Sequence, residues 1–297
     1  MKQIIRPTLS VLLPALAAAS GLLLAPSAFA GVEMTLQDRD VARSVSLGGS
    51  CNRCELSGRN LSGATFTGAS FMNATLGGAN LRGAEMVGSN FTGSDFSRAN
   101  LTGVEIVGTD FTSTSFANAV LTGAEAQGAS FVRANLSRAN LSGGELHGVN
   151  FNGATLIEAD FSGSELFGAT LANVRAAGAD FSDAEINASN LTNRDFTGAS
   201  FRDSSLDGAR LTGGVFSRAD FRDASLRRTD IRGADLSGAR NLTQDQVREA
   251  CGDGSTRLPG RLTAQACRGA IRVIRAVPAP PTPPAPPRVR NFVAAER

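Results

Sequence analysis

The sequence predicts an all-β solenoid, a β-helix with a small α-helical C-terminal cap, and three observations lead to it. A large apolar residue recurs at every fifth position from Leu56 to Leu236 with no insertion. A small residue stands two positions before almost every one of them. No proline interrupts the chain between Pro26 and Pro259, and a helix-start signal follows the last repeat. A five-residue period fits neither the 3.6 of a helix nor the 2 of a strand. One unit is therefore one side of a coil, and stacked coils share one core.

The register reads as follows, with the large residue called i. From Leu56 the series runs Leu61, Phe66, Phe71, Leu76, Leu81, Met86, Phe91, Phe96, Leu101, Ile106, and continues to Phe216, Phe221, Leu226, Ile231 and Leu236. That makes 37 repeats, of which only Ala126 and Ala176 lack Leu, Phe, Ile or Met at i. Position i−2 is small, as in Ala64, Ala69, Ala74, Ser89 and Ser94, with Arg59 and Arg194 as large exceptions. Position i+2 is most often Gly, as in Gly58, Gly63, Gly68 and Gly78, where turns need it. Positions i and i−2 are expected to point inward and the other three outward.

Units such as Ala79-Asn80-Leu81-Arg82-Gly83 and Ala159-Asp160-Phe161-Ser162-Gly163 resemble the pentapeptide-repeat family and its A-[DN]-[LF]-x-x consensus. The resemblance covers 54–238. It implies a right-handed quadrilateral β-helix with four repeats per coil, and so about nine coils. At the strand spacing of about 4.8 Å the rod would be about 44 Å long. Residues 20 apart should then lie above one another. Phe71, Phe91, Phe111, Phe131 and Phe151 fit one such column, and Phe161, Phe181, Phe201 and Phe221 a second. Phe96 with Phe116, and Phe196 with Phe216, form shorter stacks.

The domain plan follows. Residues 1–30 read as a signal peptide: Lys2 and Arg6, an apolar stretch, then Ala28-Phe29-Ala30 with cleavage after Ala30. This places the mature chain in the periplasm or outside the cell. No other run is apolar and long enough to span a membrane. Residues 31–53 are an N-terminal cap segment, 54–240 the β-helix, 241–276 a helical cap, and 277–297 a Pro-rich tail expected to be extended polyproline II. A solenoid must cover the open cross-section at each end. Thr243 reads as an N-cap, Gln246 closes a capping box, and Leu242 can staple on Val247. The helix is expected to reach about Cys251 and to stop at Gly252. A second helix is expected over Thr263 to Ile274.

Four cysteines allow three pairings. Cys51 and Cys54 lie at one end of the rod, Cys251 and Cys267 at the other. A disulfide needs Cα atoms within about 7 Å, so pairing across the ends fails, leaving Cys51–Cys54 and Cys251–Cys267. For the same reason four thiolates cannot converge on zinc. Cys51-Asn52-Arg53-Cys54 as a redox pair lacks a thioredoxin-like βαβ context.

Composition excludes several functions. The chain is +2 overall, and without Lys2 and Arg6 the remainder is near neutral and has no Lys, Trp or Tyr. A nucleic-acid binder needs a basic excess and stacking platforms. No catalytic set, cofactor loop or metal-ligand set is legible. His147 is the only histidine and sits at an outward i+1 position. One column stands out: Glu85, Glu105, Glu125, Glu145, Glu165 and Glu185 at i−1, beside Val87, Val107, Gln127, His147, Phe167 and Asn187 at i+1. Two readings stand. Duplication copied one solvated Glu, or an acidic and apolar strip binds a basic protein partner or divalent cations. Charge also shifts along the rod: 54–193 holds 13 acids and 6 Arg, 194–240 holds 7 acids and 9 Arg.

The leading functional reading is a non-enzymatic binding or scaffold protein with no cofactor. Family resemblance supplies a second, a DNA-mimicking gyrase-interacting protein. That role needs a cytoplasmic, strongly acidic chain. An enzyme would need an acid/base pair in a cleft, for instance near His147 and Glu145. A homodimer through a cap is a further association of such rods.

Overall fold

The computed structural model describes residues 49–267. The expected signal peptide 1–30, positions 31–48 of the expected cap and the residues from 268 onward, with the rest of the expected second helix and the Pro-rich tail, lie outside the described residues. From Ser50 to Arg240 the chain builds a quadrilateral β-helix. Each side contributes one bridge residue at i−1, paired in parallel with the residue 20 positions on: Ser50↔Ser70, Glu55↔Thr75, Asn60↔Asn80, Thr65↔Glu85 and so on to Asp220↔Arg240. Residues 50–53, expected in the cap, already belong to this ladder.

Almost every side ends in a four-residue turn closed by an N–H at i+3 donating to the carbonyl of i, as in Ala64 to Leu61 at 3.1 Å and Ala79 to Leu76 at 3.0 Å. The third residue of almost every such turn has φ near +60°, the arrangement of a type II turn, Gly238 in the last turn being the exception. This explains the Gly preference at i+2. Asn73, Arg98 and Glu158 accept the same left-handed backbone at φ +56°, +60° and +55°, at a steric cost of about 1–2 kcal/mol each. They can do so because the position faces solvent and asks nothing of the side chain but this dihedral.

The inward positions form the core. The i side chains from Phe71 to Leu236 are fully buried, and the i−2 alanines lie beside them. Ten rings make one continuous spine. It starts with Phe66 edge-on to Phe71 at 5.0 Å and runs up the column to Phe151. There it crosses to another side through an 85° contact between Phe151 and Phe161 at 5.6 Å, and continues through Phe181 and Phe201 to Phe221. Where i−2 is Ser or Thr, the buried hydroxyl donates to a backbone carbonyl. Ser94 reaches Phe71 O at 2.6 Å, Thr114 reaches Phe91 O at 2.8 Å and Thr229 reaches Leu206 O at 2.7 Å. A polar group in the core is thereby satisfied.

Arg194 is too large for an inward i−2 site and is exposed, while Thr192 beside it is buried. The turn is lost on that side alone. One coil later Gly214 occupies i−2, and a Cβ there would stand 2.7 Å from the Phe216 ring.

Cys51 occupies an i position and Cys54 the next i−2. Both point inward across one turn, 5.4 Å apart at Cα, and their disulfide staples it. At the other end the 20-residue spacing stretches to Asp230↔Cys251 and Asp235↔Arg257, because helix α1, Gln244–Glu249, replaces the next sides. Thr243 caps α1 and Gln246 completes the capping box. The Gln246 amide also donates to Phe221 O at 2.7 Å and Ala224 O at 2.8 Å. It thus closes Ala224 O, which an N–H of a further coil would have paired as the Arg240 N–H pairs Ala219 O, and adds a second donor to Phe221 O. The Thr256 hydroxyl donates to Ile231 O at 3.1 Å, as the inward Ser and Thr hydroxyls do along the rod.

Two expectations for this cap need correction. The helix stops at Glu249, with Ala250 as an extended C-cap. Gly252 is not its terminator: it lies in a bridge to Ala266, and a Cβ there would meet the Ala264 Cβ at 2.8 Å. Glycine is present for close approach of two backbones, which spacing alone does not distinguish from helix termination. The second helix is absent over its described part: Thr263–Cys267 is extended and pairs with Gly252. The unpaired edge of the last coil offers this segment backbone partners that its helical propensity cannot outweigh. The Cys251–Cys267 disulfide, with Cα atoms 4.5 Å apart, fastens it.

Asp253 organises the cap loop. Its carboxylate accepts from the Ser255 hydroxyl at 2.6 Å, and from the backbone N–H of Ser255 at 2.9 Å, Thr256 at 3.1 Å and Gly233 at 3.3 Å. These donors, the Ser255 hydroxyl first, hold its pKa down to about 2, below the ordinary carboxylate value of 3.8. A depressed carboxylate pKa stabilises the fold above the unfolded-state value and loses that contribution as pH falls through the folded one. The loop should therefore loosen between pH 3.8 and about 2. Following the Gly233 and Ser255 amide shifts by NMR should give a midpoint near 2 that vanishes in Asp253→Asn. A midpoint near the ordinary Asp value of about 3.9 would contradict the assignment.

Candidate binding face

The bridge network stacks the six glutamates on one side: Glu85↔Glu105↔Glu125↔Glu145↔Glu165↔Glu185, each pair in register. Glu105 is half-buried and the other five are exposed. Carboxylates about 4.8 Å apart repel by about 1 kcal/mol per pair in water, which rotamer choice can spread out. The second cost is local. On the other sides an Asn or Asp at i−1 accepts from the amide of i+1: Asn90 from Thr92 at 2.9 Å, Asp110 from Thr112 at 2.8 Å, Asp160 from Ser162 at 2.9 Å. Among the described residues the six glutamates make no such bond. Side-chain length does not forbid it, since Glu55, at i−1 on another side, accepts from the Ser57 N–H at 3.0 Å; the six carboxylates of this column are turned away from the turn instead.

The companion i+1 column is partly apolar. Val87, Val107, Gln127, His147 and Asn187 are half-buried, and Phe167 is 56% exposed. Phe167 is the most exposed of the large apolar side chains among the described residues. Two cross-links tie the columns together: Gln127 Nε2 donates to Glu145 Oε2 at 2.7 Å, and His147 Nε2 lies 2.9 Å from Glu165 Oε2. The remaining Gln127 oxygen is buried without a hydrogen-bond partner. Arginine ion pairs sit elsewhere, as in Arg138–Glu158 at 2.7 Å and Arg232–Asp230 at 2.6 Å. Below Glu185 the face changes to Ser205, Asp207 and Arg227, the last two 3.9 Å apart.

All of the sequence-singled residues of the two columns therefore share one face. One concavity of about 560 Å³ lies at the C-terminal cap, lined by residues including Arg222, Asp223, Leu242 and Gln246, and another runs along a side of the β-helix around Glu158, Arg218 and Arg240. Neither is lined by His147 or Glu145. The cysteines are joined as two local disulfides, and the grouping of Asp230 with Cys251 and Cys267 is a by-product of one of them. What the sequence did not reveal is the role of the i−1 Asn and Asp as turn acceptors. The i−1, i+1 spacing held that signal.

Models of the family described as pentapeptide repeats match the chain twice. One, in eight copies, covers 86–116, 114–153, 134–171, 145–183, 164–203 and 204–240. The other, in nine copies, covers 52–95. The chain belongs to the pentapeptide-repeat family. Among solved pentapeptide-repeat structures it is similar to HetL, involved in heterocyst differentiation regulation in the cyanobacterium Nostoc sp. strain PCC 7120. That match has 27% identity over 74% of this chain and 96% of that one, with a TM-score of 0.43. It is also similar to full-length QnrB1, a plasmid-mediated fluoroquinolone resistance protein, at 19% identity over 70% and 90% of the two chains with a TM-score of 0.34. A third is AT2G44920 from the Arabidopsis thaliana thylakoid lumen, at 25% identity over 47% and 70% with a TM-score of 0.11. No curated protein matches the chain. The pentapeptide-repeat fold accounts for i, i−2 and i+2, and leaves i−1 and i+1 free to differ from side to side.

Proposed function

We propose that this pentapeptide-repeat protein is an exported, non-enzymatic binding or scaffold protein, and that the glutamate face recognises a basic protein partner. One observation carries the reading: six stacked carboxylates forgo the turn hydrogen bond that Asn or Asp makes on neighbouring sides. They stand beside a column with Val87, Val107 and an exposed Phe167. A purely structural column would gain by Asn. A flat acidic strip with an aromatic anchor suits recognition of a surface more than chemistry in a cleft. Two disulfides, one at each end, fit an oxidising compartment, in keeping with the leader read in residues 1–30.

The test is a cross-linking capture from periplasmic extract with the full mature chain as bait. A second bait carries Glu→Gln at Glu105, Glu125, Glu145 and Glu165, with folding checked by circular dichroism. The expected result is a protein captured by the first bait and lost with the second. Identical capture by both would remove the face from consideration.

A further inference from the structure

We infer that the C-terminal segment of this same chain, residues 268–297, docks on the glutamate face. The inference rests on the reading of that face as a binding surface and adds its regulation, since an outside partner must displace the tail.

Charge complementarity is the first ground. The segment holds six arginines, Arg268, Arg272, Arg275, Arg288, Arg290 and Arg297, and a single acid, Glu296. The face holds six glutamates in line and no arginine above Arg227. The apolar match is the second. Arg288-Val289-Arg290-Asn291-Phe292-Val293 alternates charge with Val289 and then offers an aromatic residue. The face likewise sets Val87, Val107 and Phe167 alongside its carboxylates.

Tether geometry is the third. Cys267, the last residue before the segment, is fixed by its disulfide to Cys251. It lines a concavity together with Arg228. Arg228 is the turn residue directly after Leu226 and Arg227, on the side that carries the glutamates. The tail therefore starts at the foot of the face it is proposed to cover. Phe167 lies about five rungs away, about 25 Å, and Glu85 about 45 Å. From Cys267 to Arg288 is 21 residues. A chain of that length can span up to about 65 Å at an extended rise of about 3.1 Å per residue. The whole column is therefore within reach.

The experiment uses the full chain with Phe167 replaced by the photo-cross-linking residue p-benzoylphenylalanine, irradiated as a mixture of isotopically light and heavy copies. Cross-linked peptides are read by mass spectrometry. The expected product joins position 167 to residues 288–293 within one copy. Its yield should fall by about ten-fold or more in a chain carrying Arg288→Glu and Arg290→Glu, substitutions that leave the β-helix untouched. Mixed light–heavy products would overturn the inference in favour of a second copy. Absence of the product, or a yield indifferent to charge reversal, would overturn it outright. If it fails while the Glu→Gln bait still loses its captured partner, the face reading stands without the tail. If capture ignores the glutamates while the cross-link forms, the face serves the tail alone.

Discussion

Phe111→Ala should lower the free energy of unfolding by about 3–5 kcal/mol, the usual cost of truncating a buried Phe. Phe111 is fully buried and touches four other rings. It stacks with Phe91 at 5.5 Å and Phe131 at 5.1 Å, and meets Phe96 at 5.8 Å and Phe116 at 5.0 Å edge-on. The coils are held by backbone bridges on all four sides, so the walls cannot collapse into the space left behind, and the cavity term stays near its upper range. In a solenoid each coil interacts only with its neighbours. The loss should therefore concentrate around the affected coils. Guanidinium denaturation gives the total, and amide exchange gives its location. Phe167→Ala is the matched control, since the same truncation on the exposed face should cost within about 0.5 kcal/mol. Equal costs for the two variants would refute the inside–outside assignment of i and i+1.

Removing the C-terminal disulfide with Cys251→Ser and Cys267→Ser should cost about 3 kcal/mol by loop-closure entropy for a separation of 16 residues. The effect should be local in a different way. The terminal strand pairs with Gly252, whose N–H donates to Gln265 O at 2.8 Å, and the disulfide holds that strand on the last coil. Without it, Thr263–Cys267 can leave, uncovering the end of the core near Ile231. Amide exchange should accelerate at Ile231, Cys251 and Gly252 and stay unchanged at Phe111. Removing Cys51–Cys54 should matter less, because that bridge spans a turn already closed by a 3.2 Å backbone hydrogen bond. Uniform loss of protection along the rod would show that the cap is not an independent unit.

The sequence by itself determined the wall of this protein. A strict five-residue period cannot drift, so Leu56 and Leu236 necessarily play the same part, and the 20-residue recurrence of Phe and Glu places whole columns. The pairing of the cysteines was also legible, since a rod separates its ends. What the sequence could not supply is whatever depends on the neighbouring coil instead of the repeat. The two Phe columns are legible in the sequence, but that Phe151 and Phe161 join them edge-on at 5.6 Å is not, because it is a contact between different columns. Arg194 is exposed although i−2 points inward elsewhere, because a closed wall has no room for a guanidinium. Gly252 reads locally as a helix stop, yet it is required by Ala264 of a strand 12 residues later. Thr263–Cys267 reads locally as helix, yet the open edge of the last coil recruits it as a strand. Periodicity fixes structure where every unit has the same neighbours. At the ends, and at one irregular side, the neighbours differ, and only the tertiary structure decides.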